Sequence, residues 1–284
     1  MNQCQLTDRS IVAVSGEDAE GLLNRLFTNS MLNMSPGTAR YAALLSPQGK
    51  VLFDFLVFRR PDAFWIDGPR AQAADLARKL TMFKLRAQVT IEVRDDLTVS
   101  AAWGGVLMAA PGPTYRDPRH NDLGYRIVAP LDQLPGMMDD IAAYEAHRVG
   151  LGIPKGGVDF AYGDTFVHDA NMDLLDGVDF EKGCYVGQEV VSRVHHRGSA
   201  RKRIVRLVFY GDPPKSGSGL TSGTLQIGQV TSIVGREGLA TARIDRLEEA
   251  EATNVPVLAG ETLVGVALPT RSQVARPAYA DDVP

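Results

Sequence analysis

From about residue 201 onward the chain breaks into short strand-forming runs divided by glycine and proline, and this limits its possible folds more than any other feature. Residues 203–209, 228–234, 239–244 and 262–268 read as strands. Gly211-Asp212-Pro213-Pro214-Lys215-Ser216-Gly217-Ser218-Gly219 reads as a loop, and helical signal is weak throughout. Short strands too narrow to cover each other as a layer bury their apolar faces by closing on themselves. A small β-barrel over residues 201–271 is therefore expected as a separate C-terminal domain, followed by a loose tail over 272–284.

The preceding 200 residues have a different texture. Ile11-Val12-Ala13-Val14 is strand-like. Ser15 with Asp18 resembles a capping box, and Leu22, Leu23, Leu26 and Phe27 share one helical face. Residues 41–58 read as a hairpin that turns at Ser46-Pro47-Gln48-Gly49-Lys50. Its returning strand, 51–58, is apolar at nearly every position and so predicts cover on both faces. Asp54 interrupts it and requires either a partner or a function. Further strands are expected at 64–67, 89–93, 97–101 and 124–128. Helices are expected at 71–83 and 139–149, the second stopped by Gly150, Gly152 and Pro154. Strands and helices mix without strict alternation, which predicts an α+β class.

Composition narrows the function. The net charge is -4, so nucleic-acid binding would have to rest on a local patch. No apolar run approaches the roughly 20 residues of a membrane helix. Residues 1–5 lack the basic-then-apolar pattern of a secretory signal, which leads to an expected cytoplasmic location. Cys4 and Cys184 are the only cysteines. They argue against a disulfide framework and cannot supply the four thiolates that an iron–sulfur cluster usually takes, and no stably bound metal is expected.

Chemically active residues concentrate between 164 and 206. Gly183 and Gly187 bracket Cys184, where glycine permits positive φ or close approach of the backbone to a ligand. A helix starting near Gln188, with Lys182 close in sequence, would favour the thiolate. A lone cysteine can equally be a buried structural residue. Arg193, His195, His196, Arg197, Arg201, Lys202, Arg203 and Arg206 form a basic run. It suits phosphates, a small carboxylate anion, or simply water. If that run is extended, His195 and His196 point to opposite faces and make no metal pair. Asp169 could accept two parallel hydrogen bonds, or serve as an ordinary surface acid.

The stretch Lys182-Gly183-Cys184-Tyr185-Val186-Gly187-Gln188-Glu189, continuing through Arg193 and Arg197-Gly198, resembles the signature of the YgfZ family. Other segments agree in order: the hairpin at 41–50, Asp117-Pro118-Arg119 with Gly124-Tyr125-Arg126, and Tyr144-Glu145 with Arg148 and Gly152-Ile153-Pro154. The resemblance spans roughly residues 10–270 and extends to the related T protein of the glycine cleavage system.

That resemblance implies a T-protein-like fold, with two α+β subdomains and a C-terminal β-barrel around a central folate channel. The first subdomain is expected at 1–45 and 131–200 and the second at 46–130. It implies binding of tetrahydrofolate or a derivative, and a role in iron–sulfur cluster assembly or repair that supports clients including tRNA-modifying enzymes. Folate and iron–sulfur client proteins or assembly factors are the implied partners, with no direct nucleic-acid partner and no membrane. It places the functional thiol at Cys184 and folate contacts at Asp169, Asp54, Tyr185, Gln188, Glu189 and Arg197. Two departures bear on chemistry. T proteins carry an acidic pair where this chain has Phe53-Asp54, and a glutamate in a P-x-E context where it has Val167-His168-Asp169. The missing acid argues against turnover as a folate-dependent aminomethyltransferase, the alternative reading. An RNA-binding module, resting on residues 193–206 alone, is a third.

Overall fold

The computed structural model describes residues 1–107, 109–133, 140–198 and 200–271. The expected tail at 272–284 and the expected helix start at Asp139 lie outside them. Strands β1 (Asn2–Gln5) and β2 (Arg9–Ser15) lead into helix α1 (Ala19–Leu26). Next come β3 (Ala39–Leu45), β4 (Val51–Arg59), β5 (Ala63–Pro69), α2 (Ala73–Lys84), β6 (Thr90–Arg94) and β7 (Leu97–Trp103). Then follow β8 (Thr114–Arg116), β9 (Tyr125–Pro130), α3 (Ile141–Gly150) and α4 (Gln188–Arg197). The remainder is β10 (Lys202–Phe209), β11 (Gly219–Ser222), β12 (Leu225–Val234), β13 (Glu237–Arg243), α5 (Ile244–Ala252), β14 (Val257–Ala259) and β15 (Thr262–Ala267).

Three antiparallel sheets result. One has the order β3-β4-β5-β2-β6, the second β1-β7-β9-β8, and the third is a closed barrel, β10-β13-β12-β11-β14-β15. Closure runs through β10 and β15, from Arg206 opposite Ala267 to Phe209 opposite Val264, and leaves the barrel no free edge. The fold is the expected α+β arrangement with a C-terminal barrel. Helix α5 departs from the reading of 239–244 as strand: Ile244 opens a helix whose Leu247 and Ala250, one turn apart, are buried.

The expected boundary between residues 45 and 46 does not hold. It would cut the β3–β4 hairpin, which pairs from Ala39 opposite Phe58 to Leu45 opposite Val51 within one sheet. The period of two explains why β4 is apolar throughout. Phe53, Phe55 and Val57 pack with α1 and α2, while Leu56 and Phe58 face the second core, which includes β7 and β9. The Ser15 capping box is also absent. Asp18, not Ser15, precedes the helix, and its carboxylate accepts the Gln88 backbone N–H at 2.8 Å instead of capping α1.

Asp54 shares the inward face of β4 with Leu56 and Phe58, and an ionic network fills this interior. Arg9 pairs with Asp67 at 2.7 Å, and Asp67 accepts from the Tyr115 hydroxyl at 3.2 Å. Arg119 grips Asp117 with two bonds of 2.9 and 2.7 Å. Arg126 donates to the same carboxylate at 3.1 Å and to the Tyr144 hydroxyl. The segments Asp117-Pro118-Arg119 and Gly124-Tyr125-Arg126 thus supply a buried ionic cluster. Gly124 has φ +76°, and a Cβ there would lie 2.1 Å from the Ala102 carbonyl oxygen.

Candidate functional site

Cys184 sits on a loop pinned at both ends. At the first end, Asp179 donates its backbone N–H to Thr28 O at 3.0 Å, and its carboxylate accepts from the amides of Glu181 (2.9 Å) and Lys182 (3.0 Å). The Lys182 ammonium donates to three backbone carbonyls, those of Asn24 and Phe27 at 2.6 Å and Asn29 at 2.9 Å. It therefore closes the C-terminal end of α1, where cations are favoured. Burial pulls Lys182 down to about 8, against the attraction of Asp179.

At the other end Gly187, with φ +81°, caps α4. A Cβ there would meet Ser46 O at 2.6 Å and the Gly49 Cα at 3.1 Å, so the loop is held by close contact between glycines. Gly183 has no such constraint: a Cβ added there meets nothing within 4 Å. Between the two anchors the Cys184 side chain is exposed, which removes the reading of a buried structural cysteine. Cys4 is the buried one, in the core of the second sheet.

Lys182 is occupied elsewhere and is not the thiol's counterion. Replacing it with methionine leaves three partly buried carbonyls without their donor. We expect Lys182→Met to lower stability by about 1.5–3 kcal/mol, measured by urea denaturation, and to increase proteolytic cleavage within 179–187.

Asp169 lines a separate feature, a groove of about 1040 Å³ between the segment 157–169 and the barrel face formed by β10, β12 and β13. The segment reaches this position because Gly163 and Thr165 bond to Val51 across the start of β4 (2.8 and 2.9 Å). Asn171 ties it to the barrel through both backbone groups of Ile204. Burial raises the Asp169 pKa, while Lys202 and Lys50 pull it back. Its neighbour His168 is only 3% exposed, and neither ring nitrogen has a partner among the described residues. Burial lowers its pKa against the attraction of Asp173, so the ring is neutral at pH 7 and has one donor and one acceptor unused.

The other expected site residues are not gathered in this groove. Asp54 is buried, its carboxylate accepting from Tyr41 at 2.9 Å and Tyr162 at 2.5 Å. Tyr185 is buried beneath the Lys182 ammonium, 5.1 Å from its ring centroid. Gln188 opens α4. Glu189 is exposed and pairs with Arg193 at 2.7 Å, one helical turn away. The side chain of Arg197 lies outside the described residues.

The basic run is also divided. Residues 188–197 are helical rather than extended, and His195 stacks on Phe180 with ring centroids 3.7 Å apart. Arg203 is bonded twice to Asp173 (2.5 and 2.9 Å), and Arg206 donates to Gly150 O at 2.6 Å. These internal commitments weaken the reading of an RNA-binding strip. Among the described residues no group of three His, Cys, Asp or Glu side chains is placed to hold a metal ion, and no helix is long and apolar enough to cross a membrane. Sequence reasoning missed His168 and Lys50 as groove residues. Their only local signal was proximity to Asp169 and to the hairpin turn.

Comparison with known proteins agrees with this architecture. Residues 2–105 match the GCVT N-terminal domain, and residues 201–273 match the CAF17 C-terminal beta-barrel domain. The aminomethyltransferase T of the glycine cleavage system from Bartonella henselae has a similar fold. The TM-score is 0.73 at 18% identity, over 94% of this chain and 85% of that one. The mitochondrial iron–sulfur cluster assembly factor IBA57 of Mus musculus is 31% identical, over 86% of this chain and 78% of its own. The Pyricularia oryzae homologue is 31% identical over 90% and 75%. The Mycosarcoma maydis homologue is 34% identical over 72% of this chain, which spans only 57% of that protein. All three relatives are named as mitochondrial, which overturns the expected cytoplasmic location. A resemblance first read as YgfZ-like resolves at this coverage to a related group: the chain belongs to the IBA57 family of iron–sulfur cluster assembly factors.

Proposed function

We propose that this chain is a tetrahydrofolate-binding accessory protein for iron–sulfur cluster assembly or repair, one that supports iron–sulfur enzymes, tRNA-modifying ones among them. The observation that carries the reading is the exposed Cys184 thiol on a loop anchored through Lys182 and Gly187. A single thiolate offers one ligand to a cluster iron, so the remaining ligands come from a client or assembly factor. The iron–sulfur cluster is cargo here rather than a resident group.

Folate belongs to the groove in this reading, and the residues present fit it. A bound pterin offers an amino group and an adjacent ring N–H, and the Asp169 carboxylate accepts such a pair. His168 lines the same groove, and its two ring nitrogens have no partner among the described residues. Bound folate supplies one-carbon carrying capacity; the chain binds and orients it. Lys50, Arg201 and Lys202 line the same groove and suit the carboxylates of the glutamate tail. Asp54, already committed to two tyrosines, holds the cleft wall rather than the ligand in this scheme.

Calorimetric titration with tetrahydrofolate tests the ligand, paired with iron–sulfur enzyme activities in cells lacking the protein. Asp169→Ala is expected to weaken folate binding by about 1.5–3 kcal/mol, roughly 10- to 150-fold in Kd. Unchanged affinity in that variant would move the pterin to another carboxylate.

A further inference from the structure

The end of α2 contains a residue that no intramolecular interaction explains. Leu85 has φ +48° and ψ −108°, with a hydrogen bond from the Ala87 N–H to Lys84 O at 2.7 Å closing the turn around it. These angles match the first corner of a type II′ turn, a position suited to glycine and costly for a branched residue. The side chain gains nothing in return from the fold, because it is 86% exposed. Met82 is 71% exposed and Phe83 38% exposed beside it. Lys79, Met82 and Phe83 share one face of α2 at i, i+3 and i+4, and Arg86 follows Leu85 just beyond the end of the helix. Neither Lys79 nor Arg86 has an ion-pair partner among the described residues.

We infer that Leu85, Met82 and Phe83 form a docking surface for an amphipathic helix of a partner protein, one with an apolar stripe flanked by acidic residues. The strained leucine is held outward as its anchor, and Lys79 and Arg86 select the charge of the flanks. The position of the surface supports this. Helix α1 meets Gln88 through Asp18 at its start and Lys182 through Asn24 and Phe27 at its end. Its eight residues span about 12 Å, so α1 is a short rigid link between the turn that follows Leu85 and an anchor of the Cys184 loop. The inference deepens the proposed function and rests on it only in the test made in cells.

Leu85→Gly separates this role from a structural one, since it relieves the strained turn while removing the anchor. The thermal midpoint is expected to hold or rise by a few degrees, whereas Leu85→Ala, which keeps the strain, brings no rise. The binding probe is a synthetic helix with leucines at i, i+3, i+4 and i+7 and glutamates on both flanks, followed by fluorescence anisotropy. Its affinity is expected to fall at least about tenfold in Leu85→Gly. The double variant Lys79→Glu/Arg86→Glu is expected to prefer the same peptide with lysine flanks. In cells, Leu85→Gly at normal abundance is expected to lower iron–sulfur client activity while tetrahydrofolate affinity stays unchanged. A lowered midpoint would show that Leu85 supports the fold. Equal affinity for acidic and basic peptides would remove the charge selection, and a concentration-dependent dimer lost in Leu85→Gly would replace the partner with a second copy of this chain. Any of these three overturns the inference. Loss of client activity in Cys184→Ala alongside any of them leaves the proposed function standing.

Discussion

Cys184→Ala is expected to yield a stable, folate-competent protein that no longer supports iron–sulfur enzymes, with client activity falling to the level of cells that lack it. The Cys184 side chain is exposed and fills no cavity, so its truncation should change stability by no more than about 0.5 kcal/mol. The loop's anchors, Lys182 on the α1 carbonyls and Gly187 against Ser46 and Gly49, do not involve the sulfur. Loss of function would therefore report the thiol's chemistry: transient ligation of a cluster iron, a mixed disulfide or a sulfur adduct. Two measurements on the one variant decide the matter, the thermal midpoint and the in-cell activity of an iron–sulfur client. Full activity at normal abundance would end the functional reading of this cysteine.

The largest stability effect is expected at Asp117. Arg119 and Arg126 both donate to its carboxylate inside the molecule, and all three side chains are buried. Removing the carboxylate in Asp117→Ala strands two buried guanidiniums, a loss of about 3–5 kcal/mol. Against a typical total stability of about 5–15 kcal/mol, the variant should unfold at much lower urea or fail to accumulate. The same cluster predicts a pH dependence. Burial by itself raises the Asp117 pKa, but the Arg119 and Arg126 guanidiniums override this and hold it far below the usual carboxylate range. The unfolded chain thus takes up this proton first as pH falls. The stabilisation is complete above the unfolded value, near pH 4, and drains away as pH drops from there through the folded value. Urea midpoints at pH 7, 5 and 3 should show a flat upper limb and a steep lower one. An equally steep fall between pH 7 and 5 would assign the dependence to other groups.

Local periodicity was enough to reveal much of this architecture. Glycine-divided strand runs after residue 201 placed the barrel, because a period of two and turn residues are properties of neighbouring positions. The doubly apolar β4 likewise revealed a strand between two cores, and the glycine at 187 marked the start of α4. The signature around Cys184 located the thiol but not its surroundings. Lys182 lies two residues from Cys184 in sequence, yet its amine reaches back to Asn24, Phe27 and Asn29. Asp54 and Asp169 both read as ligand carboxylates; the fold buries Asp54 against two tyrosines and sets Asp169 on the groove lining near Lys50 and Lys202. Helix α5 offers only two buried positions in nine residues, Leu247 and Ala250, too few to set a helical period apart from the strand read across its start. The cost of leaving a charge or a carbonyl unpaired depends on what the fold brings within about 3 Å, and contacts between residues 150 positions apart have no periodicity to read. Spacing along the chain therefore placed many of the elements, α5 excepted, while the pairing of charges, the exposure of the thiol and the strained turn at Leu85 were decided only when the sheets, helices and barrel closed around them.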